Sequence, residues 1–296
     1  MLITSILSPT FLTGQNLGNV ADRISPLSIV ALAQTVCVLS GGIDLSLGAN
    51  VSLATVILSF TGRGGTLAIG PALLVCLLTG MTAGLANGIG IVHFNLPPLI
   101  MTLSSSVILQ GISLHFREIP GGSVDMAFCD ALGERIGFIP VRFMLALVLY
   151  AAVWWFLSFT KFGRHIYAVG GNAEFARRSG INPTLVRIGA HTIAGVLGAT
   201  GGIMLAARVY SGDPVIGAPL GMDSVAATIV GGTSFPGGIG GPVGTLAGAA
   251  LMAMMSNLLN MLNIYVHYQY ILRGLILCGA LVIYHARRKA GAADAH

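Results

Sequence analysis

Two stretches of about fifty residues each, 64–116 and 224–272, contain no Asp, Glu, Lys or Arg. One bilayer crossing takes about 20 predominantly apolar residues, so each stretch has room for two. The rest of the chain has the same character. Of its 296 residues 54% are hydrophobic and 8% charged, against about 25% charged in an ordinary soluble domain. That supply cannot cover a water-facing surface. The sequence therefore reads as an all-α, polytopic transmembrane helical bundle, and it excludes soluble enzymes, disulfide scaffolds and disordered chains. The 41 glycines suit such a bundle, because small residues let helix backbones approach closely.

Breakers divide the apolar sequence into about nine candidate crossings: Arg23–Ser40, Leu47–Thr61, Leu67–Val92, Leu99–Phe116, Phe143–Thr160, Ile188–Tyr210, Asp223–Phe235, Pro242–Leu262 and Gln269–His285. They form one transmembrane domain spanning 1–296, with a polar loop at 161–187 inside it. Orientation follows from Lys and Arg in short loops. Lys161, Arg164, Arg177, Arg178 and Arg187 crowd that loop, and Arg287, Arg288 and Lys289 crowd the tail. Both are expected in the cytoplasm, which puts the N-terminus and the 117–142 loop outside. The outer loop also carries arginines, offset by Glu118, Asp125, Asp130 and Glu134.

Gly80, Gly84 and Gly88 fall on one helix face, and Gly198 with Gly202 and Gly244 with Gly248 repeat the spacing. Such small-residue faces predict close helix pairs. Within 161–187, Asn172 is a good N-cap, Glu174 suits the positive end of a helix dipole, and Arg177 and Arg178 suit the negative end. Gly180 follows as a C-terminal stop and Pro183 forbids continuation. Ala173–Ser179 is thus expected as a short, self-contained helix. It is either a docking element for a cytoplasmic partner or an ordinary surface helix with topogenic arginines.

Asp44 is the only charged residue between Arg23 and Arg63. An acid at the bilayer centre is costly, so two roles compete for Asp44 and its neighbour Ser46. They either line a water-filled path or hydrogen-bond the freed backbone of a broken helix. Asn87, Gln110 and Asn257 are interhelical glue or cavity-lining groups by the same reasoning. Asp223, heading a short segment, reads as an N-cap, and Arg273 either snorkels or pairs. Trp154 and Trp155 suit an aromatic belt.

The two lysines, Lys161 and Lys289, do not follow a glycine, so no GxxxxGK[ST] phosphate loop exists. There is no HExxH, and the histidines lack metal-ligand spacing. Cys37, Cys76, Cys129 and Cys278 show no CxxC pairing and read as small buried hydrophobes. No cofactor, metal or nucleic-acid partner is expected, and enzymatic chemistry is not indicated.

Four stretches in order carry a resemblance: SPTFLTGQNLGNV at 8–20, SGGIDLSLG at 40–48, GRHIYAVGGNAEFARRSGI at 163–181 and AATIVGGTSFPGGIGGPVGTLAGA at 226–249. The chain resembles the permease subunits of bacterial sugar ABC importers of the ribose, xylose and galactose type, within the branched-chain permease superfamily. The resemblance implies a bacterial inner-membrane transport subunit. Two permease copies, identical or not, would form the pathway, a cytoplasmic ATP-binding subunit would drive it, and a periplasmic sugar-binding protein would load it. It also implies that 161–187 is the ATPase-coupling loop, with Gly163, Arg164, Gly170, Gly171, Asn172, Glu174, Arg177, Arg178, Ser179 and Gly180 as its functional residues. Relatives of this type have a further helix before the SPTFLTGQNL motif. Only MLITSIL precedes it here, so nine crossings and an external N-terminus are expected rather than ten. The alternatives are a branched-chain amino-acid permease of the same superfamily, or an ATP-independent secondary carrier.

Overall fold

The computed structural model describes residues 13–62 and 64–265, together with 267, 268, 271, 272, 274, 275 and 279. Within them the chain forms α1 (Gly14–Leu39), α2 (Leu47–Leu58), α3 (Ile69–His93), α4 (Pro98–Phe116), α5 (Met126–Gly133), α6 (Val141–Phe159), α7 (Lys161–Gly171), α8 (Ala173–Arg178), α9 (Pro183–Val209), α10 (Ala218–Val230) and α11 (Pro242–Met261). The described strands are a small hairpin, β1 (Arg135–Ile136) and β2 (Ile139–Pro140), antiparallel with Ile136 opposite Ile139.

Eight of the nine expected segments are helices. Six are long and apolar enough to cross a membrane, and α2 and α10 are shorter apolar helices. The ninth segment, Gln269–His285, lies largely outside the described residues. Arg273, Cys278, the tail Arg287–Lys289 and the first 12 residues lie outside them as well.

Two expectations need correction. Asp223 is not an N-cap: α10 starts at Ala218, behind Gly217 and with a proline in its first turn, so Asp223 sits inside the helix. Proline is favoured at that position because its fixed φ and missing N–H cost nothing there. The start of the 161–187 loop is also helical. Thr160 accepts the Gly163 N–H at 3.0 Å and opens α7, whose buried stripe is Gly163, Ile166 and Val169.

The helix α1 is the axis of the bundle. Of its most apolar 18 residues 89% are buried, against 17–33% for α3, α4, α6 and α11. Leu32, Val36 and Leu39 of α1 share one core with Leu47 and Val51 of α2, Leu157 of α6 and Leu197 of α9. The expected glycine faces are close helix–helix approaches. A methyl group on Gly84 would overlap the His191 carbonyl, and one on Gly88 would lie 2.7 Å from the Ile188 Cα, so α3 lies directly on α9. Gly202 meets Val51 of α2, and Gly244 and Gly248 meet the α10 backbone at Gly231 and Ala227. Side chains there would force the backbones apart.

At the end of the bundle away from α7, Asp22 of α1 takes Arg142 of α6 at 2.7 Å and Arg208 of α9 at 3.3 Å. Arg135 donates to Asn19 and Arg117 to Ser59. The arginines of the 117–142 loop are therefore engaged in structural contacts. Cys37, Cys76 and Cys129 are buried and free, as expected of small hydrophobes.

Candidate functional site

A helix of twelve residues is about 18 Å long, well short of a bilayer core of about 30 Å. Both α2, with 12 residues, and α10, with 13, are such half-length helices, and each follows a Gly- or Pro-rich break. Non-helical backbone is tolerated at membrane depth only where protein or enclosed water satisfies its polar groups. The functional candidates are the groups that do this.

The first break, residues 40–46, begins with a helix stop. Gly41 adopts φ +83°, its N–H reaches the Val38 carbonyl at 2.9 Å and that of Gly42 reaches Cys37 at 3.0 Å. This double closure is the Schellman motif, and the left-handed residue in it favours glycine. Asp44 is 1% exposed. Its Oδ1 accepts the Ser46 N–H at 2.9 Å and the Ser46 hydroxyl at 2.5 Å. Asn87 of α3 donates to Asp44 Oδ2 at 3.2 Å and to Ser46 Oγ at 2.9 Å, and Ser105 of α4 donates to Asn87 Oδ1. With its amide oriented to satisfy both atoms, Gln34 of α1 spans the Asp44 main chain, donating to the carbonyl at 2.8 Å and accepting from the N–H at 3.3 Å. Of the two roles open to Asp44, the geometry is that of a buried acid clamping a helix break.

The second break, residues 210–217, is re-entrant. Gly212 pairs with Gly121 in an antiparallel bridge, and the chain then runs alongside α2. Thr55 donates to the Asp213 carbonyl at 3.0 Å and accepts its N–H at 3.2 Å. Gln110 of α4 donates to the Pro214 carbonyl at 2.6 Å, and Ser52 accepts the Gly217 N–H at 2.9 Å. The α10 helix then starts beside the start of α2: a methyl on Gly48 would lie 2.7 Å from the Gly217 carbonyl oxygen. In transporters, paired interrupted helices of this kind mark the substrate path near the midplane.

At the opposite end lie α7 and α8. Asn172 Oδ1 accepts the Phe175 N–H at 2.9 Å and caps α8. Gly180 takes φ +83°, with its N–H on Arg177 at 3.0 Å and the Ile181 N–H on Ala176 at 3.0 Å, another Schellman closure. The cap and stop lie where the residues place them, although α8 ends at Arg178 with Ser179 as its C-cap. Glu174 pairs with Arg177 at 3.3 Å and Arg178 at 3.2 Å, all on the exposed side. Arg164 is exposed and donates to the Phe159 carbonyl at 3.2 Å.

The α7 helix docks on the start of the first break and on the loop after α10. A methyl on Gly170 would overlap the Leu39 carbonyl and lie 2.7 Å from Gly238 N. One on Gly237 would lie 2.9 Å from Gly41 N and 3.0 Å from the Gly170 Cα, and one on Gly238 2.5 Å from Gly171 N. The Tyr167 hydroxyl donates to the Gly240 carbonyl at 3.1 Å, and burial pushes its pKa above the ordinary value. Three sequence motifs, at 40–48, 163–181 and 226–249, thus meet through their glycines.

Of the candidate pathway residues, Asp44, Ser46 and Asn87 form one cluster. Gln110 belongs to the second break. Asn257 stands apart, its amide 3.4 Å from Asn16 and 3.7 Å from the Met261 sulfur, in the position of interhelical glue. Sequence reasoning missed Gln34, Ser52, Thr55, Ser105 and Phe175. Hydroxyls on one face of α2, at 52 and 55, were a readable signal for a polar-backbone neighbour. The exposed Phe175 in a capped polar helix was another, at 70% accessibility.

Comparison with known proteins bears on this geometry. The family model of the branched-chain amino acid transport system permease component matches residues 16–281. The chain is 32% identical over 290 residues to the ribose import permease protein of Escherichia coli strain K12, covering 95% of this chain and 89% of that protein. It is 32% identical over 289 residues to the ribose import permease protein of Bacillus subtilis strain 168, covering 96% and 88%. It is also 32% identical over 306 residues to the galactose/methyl galactoside import permease protein of E. coli strain K12, covering 95% and 90%. No solved structure gives a significant match. The family pattern spans both helix breaks and the α7–α8 segment between them, and the chain belongs to the family of branched-chain amino acid transport system permease components, as a multi-pass membrane permease.

Proposed function

We propose that this chain is the inner-membrane permease subunit through which an ATP-driven importer passes a monosaccharide. The observation that carries the reading is the match along nearly the whole chain to permeases named for ribose and for galactose import. Those names favour a sugar over a branched-chain amino acid. The two interrupted helices supply a place for the path, lined from α2, α4 and α10 and held by the Asp44–Ser46–Asn87 and Gln110–Ser52–Thr55 clamps.

The chain acts as one domain without catalytic chemistry of its own, and a cytoplasmic ATP-binding subunit hydrolyses ATP. A periplasmic sugar-binding protein delivers the cargo, and a second permease copy, identical or related, completes the pathway. The segment 161–187 is the coupling loop. Gly163 and Gly170 seat α7 against the bundle. Gly171 and Asn172 turn the chain into α8. Arg164, Glu174, Arg177 and Arg178 offer an exposed charged face, and Ser179 and Gly180 fix where α8 ends. Phe175, exposed among these charges, is the apolar anchor for the ATPase. Closure of the ATPase moves α7, and α7 moves the first break and the loop that ends α10, because it touches Leu39 and Gly238 directly.

The test is purification of the tagged chain in mild detergent from its native membrane, with mass spectrometry of its companions. An ATP-binding subunit at stoichiometric level, lost when Arg177, Arg178 and Gly180 are substituted together, is the expected result. A folded permease that carries sugar uptake alone, following an ion gradient through ATP depletion, would establish a secondary carrier instead.

A further inference from the structure

A cavity of about 300 Å3 opens where three irregular segments meet. They are the Gly41–Gly42 stop after α1, the 95–98 turn between α3 and α4, and the first turns of α9. Its polar side chains are Arg187, His191 and Asn95, and no acid lines it among the described residues. The nearby acid, Asp44, is taken up by Ser46 and Asn87.

Both basic residues carry buried atoms without partners among the described residues. His191 is 1% exposed, and its Nδ1 lies 3.0 Å from the Arg187 carbonyl. A carbonyl only accepts, so Nδ1 carries the hydrogen and Nε2 of the neutral ring is left with a lone pair. Among the described residues that Nε2 has no hydrogen-bond partner, and neither does Arg187 Nε. The pairs made by the described arginines use Arg142, Arg177, Arg178 and Arg208, not Arg187. A buried orphan polar group calls for an explanation, and an unoccupied ligand position is one.

We propose that this cavity binds a small phosphate-bearing anion. Phosphoryl oxygens sit on the Arg187 guanidinium, whose planar fork matches them, and an O–H of the ligand donates to His191 Nε2. A site of about 300 Å3 lies at the small end of ligand pockets, so its occupant has the size of a monosaccharide phosphate rather than a nucleotide. Ile91, Leu96 and Pro98 give the cavity an apolar rim, so the same phosphoryl chemistry has two sources, a soluble phosphate ester or the headgroup of an anionic phospholipid. In either case the occupant bridges α9 to the first break: a side chain on Gly42 would begin 3.2 Å from His191 Nε2. The site stands on this chain alone, independent of the coupling reading.

The experiment uses the full-length chain in nanodiscs of phosphatidylcholine, titrated calorimetrically with inorganic phosphate, glucose 6-phosphate and glucose. The two phosphates are expected to bind and glucose to give no heat. Arg187→Gln should weaken binding at least tenfold and Arg187→Lys less. Arg135→Gln, at the other end of the bundle, should leave it unchanged. Leu96→Trp, a substitution at the exposed rim that spares the basic pair, should block entry. Native mass spectrometry after reconstitution with added phosphatidylglycerol provides the second arm. One phosphatidylglycerol retained per chain and lost in Arg187→Gln, with no soluble phosphate bound, assigns the site to lipid. Retention of neither class by monodisperse protein overturns the proposal, as does equal binding by the wild type, Arg187→Gln and Leu96→Trp.

Discussion

The Gly238 N–H donates to the Leu39 carbonyl at 3.1 Å, so the loop after α10 closes on the last turn of α1. Leu39 leads into the first helix break, Gly238 lies in the loop after α10, and Gly170 of α7 is packed against both. A displacement of α7 therefore reaches both half-length helices through main-chain contact. Side-chain rotation cannot absorb it, because glycines meet glycines at this point. Under the coupling reading proposed above, this contact is the route by which the segment acts on backbone buried at membrane depth.

Gly170→Val tests that contact. The new side chain would overlap the Leu39 carbonyl, and overpacking of this kind costs about 1–3 kcal/mol. The bundle, anchored mainly by α1 and α9, should still insert, while α7 lifts from Leu39 and from the loop after α10. Uptake of the labelled monosaccharide that the wild type carries should fall at least tenfold at equal membrane abundance. Gly111→Ala, in open space on α4, should behave as the wild type. Normal uptake by the valine variant would show that α7 need not touch Leu39.

Gly180 separates conformation from packing, since nothing lies within 4 Å of an added Cβ there while φ is +83°. A β-branched residue held in that region costs about 1–3 kcal/mol; Asn tolerates it better. Gly180→Val should lose the ATP-binding subunit in co-purification and Gly180→Asn should largely keep it. Both should be present in the membrane at wild-type level. Equal retention of the subunit by the two variants would remove the α8 stop from the coupling machinery.

Phe175 is 70% exposed, so its truncation removes almost nothing from the core. If it anchors the ATPase, Phe175→Ala should weaken association by about 2 kcal/mol or more, the range of an interface hot spot, with thermal stability of the isolated permease unchanged. A pull-down titrated with the ATP-binding subunit reads this directly. An unchanged pull-down would leave the charged face of Glu174, Arg177 and Arg178 as the recognition element.

Much of this was legible in the residues, and the physics explains which part. Charge-free runs and Gly or Pro breakers locate spans because the bilayer penalises charge uniformly. Asn172, Glu174 and Gly180 locate α8 because capping is local. The glycine triple at 80, 84 and 88 announces a close partner, but nothing local names α9 as that partner. Gln110 and Ser52 could be seen as polar residues in apolar helices. Their target, the irregular segment at 213–217, lies over a hundred positions away and exists only once α9 and α10 are placed. Asp223 was misassigned for a local reason: Pro219 starts the helix a turn earlier.

Asp44 allows the structural and the pathway roles to be separated by two substitutions. Asp44→Leu removes the acceptor of the Ser46 N–H, the Ser46 hydroxyl and one Asn87 N–H, and each buried orphan costs about 1–3 kcal/mol. Asp44→Asn keeps an oxygen for Ser46 but sets one amide NH2 against that of Asn87, so about one contact is lost. The apparent melting temperature in detergent should therefore fall in the order wild type, Asn, Leu. If the clamp is the function of Asp44, uptake should follow that stability order, with the Asn variant retaining a substantial fraction at low temperature. An Asn variant that keeps its melting temperature and loses all uptake would show that the charge itself faces the sugar, and would place the path at the first helix break.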